Sequence, residues 1–121
     1  MTLREQIQQV IDDEPVAIFM KGTPEQPACG NSLRALQALW TAGAPITAVN
    51  VLPDPQIRQE LSALTDWPTI PQVFVKGELI GGADITEELQ ASGELERKLD
   101  DALGADREQV VKTVVLAATP A

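Results

Sequence analysis

The sequence contains no histidine, and Cys29 is the one cysteine among its 121 residues. Without histidine, the chain cannot build a Ser-His-Asp or Cys-His catalytic arrangement or a histidine-ligated metal site. With one cysteine, it forms no internal disulfide, no Cys-x-x-Cys redox pair and no four-cysteine metal site of its own. Any sulfur chemistry of this chain therefore begins at a single thiol.

Basic residues are scarce as well, because 9 Lys and Arg stand against 18 Asp and Glu, which gives a net charge of −9. This balance argues against a nucleic-acid surface or a polybasic membrane patch. The amino terminus is polar and lacks an apolar signal core, and the longest uncharged stretch, 35–53, is broken by Gly43 and Pro45. We therefore expect a cytoplasmic protein with no membrane or nucleic-acid partner.

The apolar residues alternate between helical and strand patterns in the first part of the chain. A front helix is predicted at 3–11, and a continuous apolar run at 16–20 predicts a strand covered on both faces. A proline-rich loop leads to a helix that begins at Cys29 and ends at Gly43. The predicted inner face of this helix consists of Leu33, Leu36, Leu39 and Trp40.

The same alternation continues in the second part of the chain. The pattern predicts a second strand at 46–52 and then a helix with Asp54 as its N-cap. It also predicts a hairpin at 72–81. Asp84 and Glu87, three residues apart, have the spacing of a capping box with Asp84 as the cap.

This order of elements predicts an α/β fold, a four-stranded mixed sheet flanked by helices. The first two strands should be parallel and the last two antiparallel. We place one domain at residues 1–104 and a C-terminal appendage at 105–121. The valines of the appendage fit either a helical turn or a strand at 113–116.

Cys29 is the first candidate for chemistry. It lies directly before a predicted helix, where unpaired backbone N–H groups and the helix dipole favour a thiolate over a thiol. Lys21, at the end of the preceding strand, adds a positive charge. A lone cysteine is more often an inert apolar residue, and its position here is what favours a reactive one.

Three further segments fit a binding site. Trp67 to Pro71 contains two prolines, which predict a rigid turn or a cis peptide at Ile70-Pro71 that leaves the Ile70 backbone free to pair with a peptide-like ligand. The Gly81 to Asp84 turn at a helix start offers amides to a carboxylate. Arg58, one turn into a helix, has the guanidinium that clamps carboxylates.

The run from Phe19 to Ser32 resembles the active-site segment of the monothiol glutaredoxins, whose signature is Lys-Gly-Thr-Pro…Cys-Gly-Phe-Ser. Two further blocks, 67–73 and 76–85, match that family at the right spacings, and the likeness covers residues 3 to 103. The resemblance implies a thioredoxin fold with Pro71 cis and a glutathione site. Carried over residue by residue, the site consists of Lys21 and Arg58 at the glycine carboxylate, the Ile70 backbone at the cysteinyl part, and Gly82, Ala83 and Asp84 at the γ-glutamyl end.

The resemblance also implies a [2Fe–2S] cluster with Cys29 as its protein ligand. Two copies of Cys29 and two glutathione thiolates supply the four sulfurs that a cluster needs, so we expect a homodimer with the cluster and a monomer without it. The family's partners are BolA-like proteins and apo iron–sulfur proteins. The function that follows is iron–sulfur cluster transfer and redox homeostasis.

Asn31 departs from the signature because it stands where the family has Phe, and Ser62 stands where many members have Lys. An Asn amide is able to bond the sulfur or cap the helix, whereas Phe would shield the thiolate from water. This favours an alternative function, a glutathione-dependent thiol–disulfide oxidoreductase that acts on protein–glutathione mixed disulfides through Cys29. A regulatory module whose thiol or cluster reports redox state is the third alternative.

Overall fold

The computed structural model describes residues 1–116. The helices of this part are α1 (Leu3–Asp13), α2 (Gly30–Thr41), α3 (Pro55–Thr65), α4 (Ala83–Ser92) and α5 (Glu94–Leu103). The strands are β1 (Val16–Met20), β2 (Ile46–Asn50), β3 (Gln72–Val75), β4 (Glu78–Gly81) and β5 (Val111–Thr113). Within residues 1–116, no helix combines the length and apolar character that a membrane crossing requires.

The strands form one mixed sheet in the order β4-β3-β1-β2-β5. As predicted, β1 and β2 are parallel, and β3 and β4 form an antiparallel hairpin. The hairpin turn places Lys76 at φ 50° and Gly77 at φ 81°, the paired positive φ values that match the twist of a tight hairpin. The first four strands and their helices have the thioredoxin arrangement that the resemblance implies.

The predicted number of four strands is wrong, because β5 extends the sheet to five. It pairs in parallel with β2, with Val111 opposite Ile46 and Thr113 opposite Ala48. All three β5 residues are exposed, so the strand has no buried face and no apolar alternation to reveal it. It also begins at Val111 and not at 113. The boundary at residue 104 stays a prediction, and residues 117–121 of the appendage lie outside the described part.

The sheet separates two apolar layers, and β1 contributes to both. Its alternate residues Val16, Ile18 and Met20 pack with α2 and α5, while Ala17 and Phe19 pack with α1 and α3. All five are completely buried, which confirms the prediction of a strand covered on both faces. The central position of β1 places its carboxyl end, and the loop that follows, next to the start of α2.

Helix α2 is rotated relative to its predicted inner face. Trp40 is 53% exposed and Leu33 39% exposed, whereas Ala35 and Ala38 are buried and Leu39 is buried as expected. Small residues face inward because α2 packs closely against α4 as well as against the sheet. The larger apolar side chains therefore remain at the edge of the contact.

Arg107 ties the C-terminal segment to the domain. Its side chain, 8% exposed, forms an ion pair with Asp100. It donates to the carbonyl oxygens of Ala42 at 2.8 Å, Gly43 at 3.1 Å and Gly104 at 3.0 Å. These oxygens belong to the carboxyl ends of α2 and α5, where a cation is favoured by the helix dipole. One buried guanidinium thus joins two helix ends to the segment that leads into β5.

Replacing Arg107 with Ala should lower the free energy of unfolding by about 2–3 kcal/mol, because hydrogen bonds to a charged group are lost and buried carbonyls remain. Chemical denaturation followed by circular dichroism measures this. Arg97→Ala, at an exposed arginine of α5, is the matched control and should change stability little. Equal stability of the two variants would contradict the role given to Arg107.

Candidate functional site

Cys29 is the N-cap residue of α2, as the sequence predicts, with extended backbone angles and no side-chain capping bond. The backbone N–H of Ser32 is the largest cause that lowers the pKa of the Cys29 thiol. The Asn31 N–H, the Ser32 hydroxyl and the Lys21 charge lower it further, and burial opposes them. The half-buried sulfur is therefore held in an environment that favours the nucleophilic thiolate.

The loop before Cys29 is fixed by a buried serine and a glycine. The Oγ atom of Ser32, completely buried, accepts a hydrogen bond from the Lys21 N–H at 3.0 Å, and Ala28 donates its N–H to the Lys21 oxygen at 2.9 Å. Gly22 has φ +91°, and a Cβ there would lie 2.5 Å from the Gln26 oxygen. No larger residue fits this turn, so the loop holds Lys21 near the sulfur.

A cleft of about 470 Å³ opens beside the start of α2. It contains six of the nine predicted site residues. Its lining consists of Asn31, Arg34, Trp67, Thr69, Ile70, Pro71, Gly82, Ala83, Asp84 and Ile85. The Ile70-Pro71 peptide bond is cis, as predicted. The cleft thus brings together the first turns of α2, the Trp67 to Pro71 segment and the start of α4.

The other three predicted residues are not part of this lining. Cys29 lies at the start of α2, and Lys21 is close enough to lower its pKa through its charge. Arg58, on α3, donates through Nη2 to the Pro68 oxygen at 3.4 Å. Of the three residues, the structure thus brings Lys21 close to the thiol, and it places Arg58 against the Trp67 to Pro71 segment.

A buried glutamine that sequence reasoning missed holds the Trp67 to Pro71 segment. Gln72 is completely buried; its Nε2 donates to the oxygens of Trp67 at 2.8 Å and Thr69 at 3.3 Å. Its Oε1 accepts from the Thr65 hydroxyl at 3.0 Å. A polar residue at a buried strand position is the signal that would have identified it, since buried amides need several partners.

Gly82 allows the two walls of the cleft to approach each other. A Cβ at this position would lie 3.3 Å from the Pro71 oxygen and 3.8 Å from the Trp67 indole nitrogen. That nitrogen is buried and has no hydrogen-bond partner among the described residues. The Gly82 backbone can thus lie close to the cis-proline segment only because it has no side chain.

Arg34 is the second residue that sequence reasoning missed. It crosses from α2 to α4, where it donates to Asp84 at 2.7 Å and forms an ion pair with Glu87. It also donates to the Asn31 Oδ1 atom at 2.9 Å. The predicted capping box is therefore wrong, because the N-cap of α4 is Gly82 and both carboxylates bind Arg34. Asp84 and Glu87 are three residues apart and so lie on one face of α4. This spacing was the signal in the sequence that could have indicated a shared cationic partner.

These features define a protein of the thioredoxin fold that carries one activated thiol at the start of a helix. The family model described as Glutaredoxin matches residues 16–80, and the chain belongs to the glutaredoxin family. A probable monothiol glutaredoxin, GrlA, of Legionella pneumophila is 51% identical over 88 residues, 73% of this chain and 99% of that protein. Glutaredoxin 4 of Escherichia coli K12 is 43% identical over 100 residues, 83% of this chain and 87% of that protein.

Longer relatives and solved structures agree with this assignment. The mitochondrial monothiol glutaredoxin-S15 of Arabidopsis thaliana is 42% identical over 103 residues, 85% of this chain, which spans 61% of the relative's length. The solution structure of reduced poplar apo GrxS14 is similar with a TM-score of 0.73 and 40% identity, covering 84% of this chain and 93% of that one. The chain is thus a glutaredoxin of the monothiol type, with the fold that its sequence predicts.

Replacing Ser32 with Ala should raise the pKa of the Cys29 thiol, because the hydroxyl that helps to stabilise the thiolate is removed. The rate of alkylation by iodoacetamide, measured against pH, should shift to higher pH and fall at neutral pH. Stability should also fall by about 1–2 kcal/mol, since the Lys21 N–H loses its acceptor. Ser92→Ala, at an exposed serine on α4, is the control. An unshifted alkylation profile in Ser32→Ala would show that the Ser32 hydroxyl does not stabilise the thiolate.

Proposed function

We propose that this protein binds glutathione in the cleft and, as a dimer, carries a [2Fe–2S] cluster that it passes to acceptor proteins. The observation that carries the proposal is the position of Cys29, a thiolate-stabilised N-cap residue beside a cleft formed by the family's other site segments. Acceptors of this kind are apo iron–sulfur proteins and BolA-like proteins, and the place of action is the cytoplasm.

Glutathione would lie along the cleft with its sulfur at Cys29. Lys21, whose charge acts on the thiol, and Arg58 would hold the glycine carboxylate. The Ile70 backbone, beside the cis-proline, would pair with the cysteinyl part. Gly82, Ala83 and Asp84 would hold the γ-glutamyl end. The start of α4 supports this assignment, because no side chain caps its first amides. These N–H groups are therefore available to donate to a carboxylate.

The residues of the chain fit a cluster that is shared between two subunits. Residues 1–116 contain no group of three or more His, Cys, Asp or Glu side chains arranged to hold a metal. One chain supplies one thiolate, that of Cys29, so four thiolates require two chains and two glutathione molecules. The lowered pKa of Cys29 suits ligation, because the thiolate is the form that binds iron. Without the cluster the chain should be monomeric.

A second function, thiol exchange, is favoured by the contacts of Asn31. The Asn31 side chain is exposed and bonds Arg34, and Cys29 is half-buried, so a short polar residue and not an aromatic ring stands beside the thiol. The Cys29 thiolate would attack the glutathione sulfur of a protein mixed disulfide, forming a new disulfide and releasing the protein thiolate, which takes a proton. A second glutathione thiolate would then attack this disulfide, releasing oxidised glutathione and restoring Cys29.

Anaerobic reconstitution with iron, sulfide and glutathione tests the first function. We expect visible charge-transfer absorption and a dimer by sizing chromatography, both of which depend on glutathione. Cys29→Ser should abolish both, because the protein ligand is lost. Ala28→Ser, which adds a hydroxyl at the exposed neighbouring residue, should retain both. A colourless monomer with a reactive thiol would contradict cluster binding and favour thiol exchange.

Replacing Asn31 with Phe should lengthen the lifetime of the cluster in air, because the aromatic ring covers the sulfur and excludes water. The decay of visible absorption after exposure to air measures the lifetime. Asn31→Ala is the matched variant, since it removes the amide without adding cover, and its cluster should decay as fast as that of the wild type. If Phe and Ala behave alike, shielding at this position has no role.

A further inference from the structure

Arg34 lies in the wall of the cleft, and its guanidinium is held from three sides. Nε donates to Glu87 Oε1 at 3.0 Å and Nη1 to Asn31 Oδ1 at 2.9 Å. Nη2 donates to Asp84 Oδ1 at 2.7 Å and also to Glu87. These contacts fix the plane of the guanidinium relative to the first turn of α4.

The fixed guanidinium keeps capacity for a ligand. It has five N–H groups, and the four hydrogen bonds described within residues 1–116 leave a second Nη1 N–H. The Asp84 side chain is 81% exposed, so its carboxylate is accessible to a ligand while it binds Arg34. A cation and an accessible carboxylate therefore lie side by side in the lining of one cleft.

This pair matches the charges of an amino-acid group. The α-carboxylate of such a group would accept from Arg34 and from the uncapped amides of α4, and its α-ammonium would donate to Asp84. Arg34 carries one positive charge against the two carboxylates of Asp84 and Glu87. One negative charge is therefore left over in this cluster, and the ammonium of the ligand would neutralise it.

We propose that Arg34 is a specificity-determining residue that, together with Asp84, selects thiol ligands with a free α-amino-acid group, such as the γ-glutamyl end of glutathione. The inference rests on the proposed binding of glutathione in this cleft. Asn31 and Glu87 act as positioning residues, because they hold the guanidinium in the orientation that the ligand's carboxylate requires. Asn31 thereby has a use that a Phe at this position would not supply.

Calorimetric titration with two probes tests the proposal: S-methylglutathione, and the same molecule with its γ-glutamyl α-carboxylate converted to a primary amide. Net charge alone would favour the amide, since the chain carries −9 and repels anions. We expect the wild type to bind the carboxylate probe about tenfold more tightly, the value of one charge-assisted contact. Arg34→Gln should bind both probes within about twofold of each other, and Arg34→Lys should be intermediate.

The matched control is Arg4→Gln, which removes the same charge from an exposed helix-to-helix ion pair, the one between Arg4 on α1 and Glu60 on α3 at 2.7 Å. It should keep the preference of the wild type. Thermal unfolding of each variant shows whether the fold is intact. If Arg34→Gln is folded and keeps the wild-type preference, Arg34 only ties α2 to α4 and the inference is wrong. If the wild type binds neither probe, the proposed glutathione site fails with it.

Discussion

The buried contact between Ser32 and Lys21 is the interaction on which the thiol site depends. The Ser32 hydroxyl accepts from the Lys21 backbone, and the Ser32 backbone N–H is the largest cause of the lowered pKa of Cys29. One residue therefore joins the end of the central strand to the first turn of α2. Because β1 is buried on both faces, this contact transmits the rigidity of the sheet to the position of the sulfur.

A second constraint acts in the wall of the cleft, where Arg34 holds α4 to α2. The carboxylates that receive it, Asp84 and Glu87, lie on the first turns of α4, so the ion pairs also fix the helix start that lines the cleft. Hydrogen bonding to Arg34 lowers the pKa of Glu87, so this contact strengthens as pH rises through the acid range and weakens as Glu87 becomes protonated. The contact between α2 and α4 thus depends on charge as well as on packing.

Much of the fold could be predicted because its signals are local. The start of α2 at Cys29 and the N-cap at Asp54 follow from the residues around them, and the structure has both. The contact of Arg34 with Asp84 could not be predicted, because it joins residues 50 positions apart. In addition, the spacing of Asp84 and Glu87 suits a capping box equally well. Likewise β5, exposed on every residue, gave no burial pattern, since its pairing with β2 is made by backbone groups.

The distribution of charge explains how an acidic chain would accept the anionic ligand that we propose for the cleft. Glutathione is negatively charged at neutral pH, and the net charge of −9 opposes its approach at low ionic strength. At physiological salt this repulsion is screened beyond about 8 Å, whereas in the proposed site Lys21, Arg58 and Arg34 would act at contact distance. In the proposed site these cations would therefore decide binding once the ligand arrives. Affinity would depend on where the three side chains lie. The contacts with Asn31, Asp84 and Glu87 fix the Arg34 guanidinium, whereas the Ser32 contact fixes the backbone of Lys21.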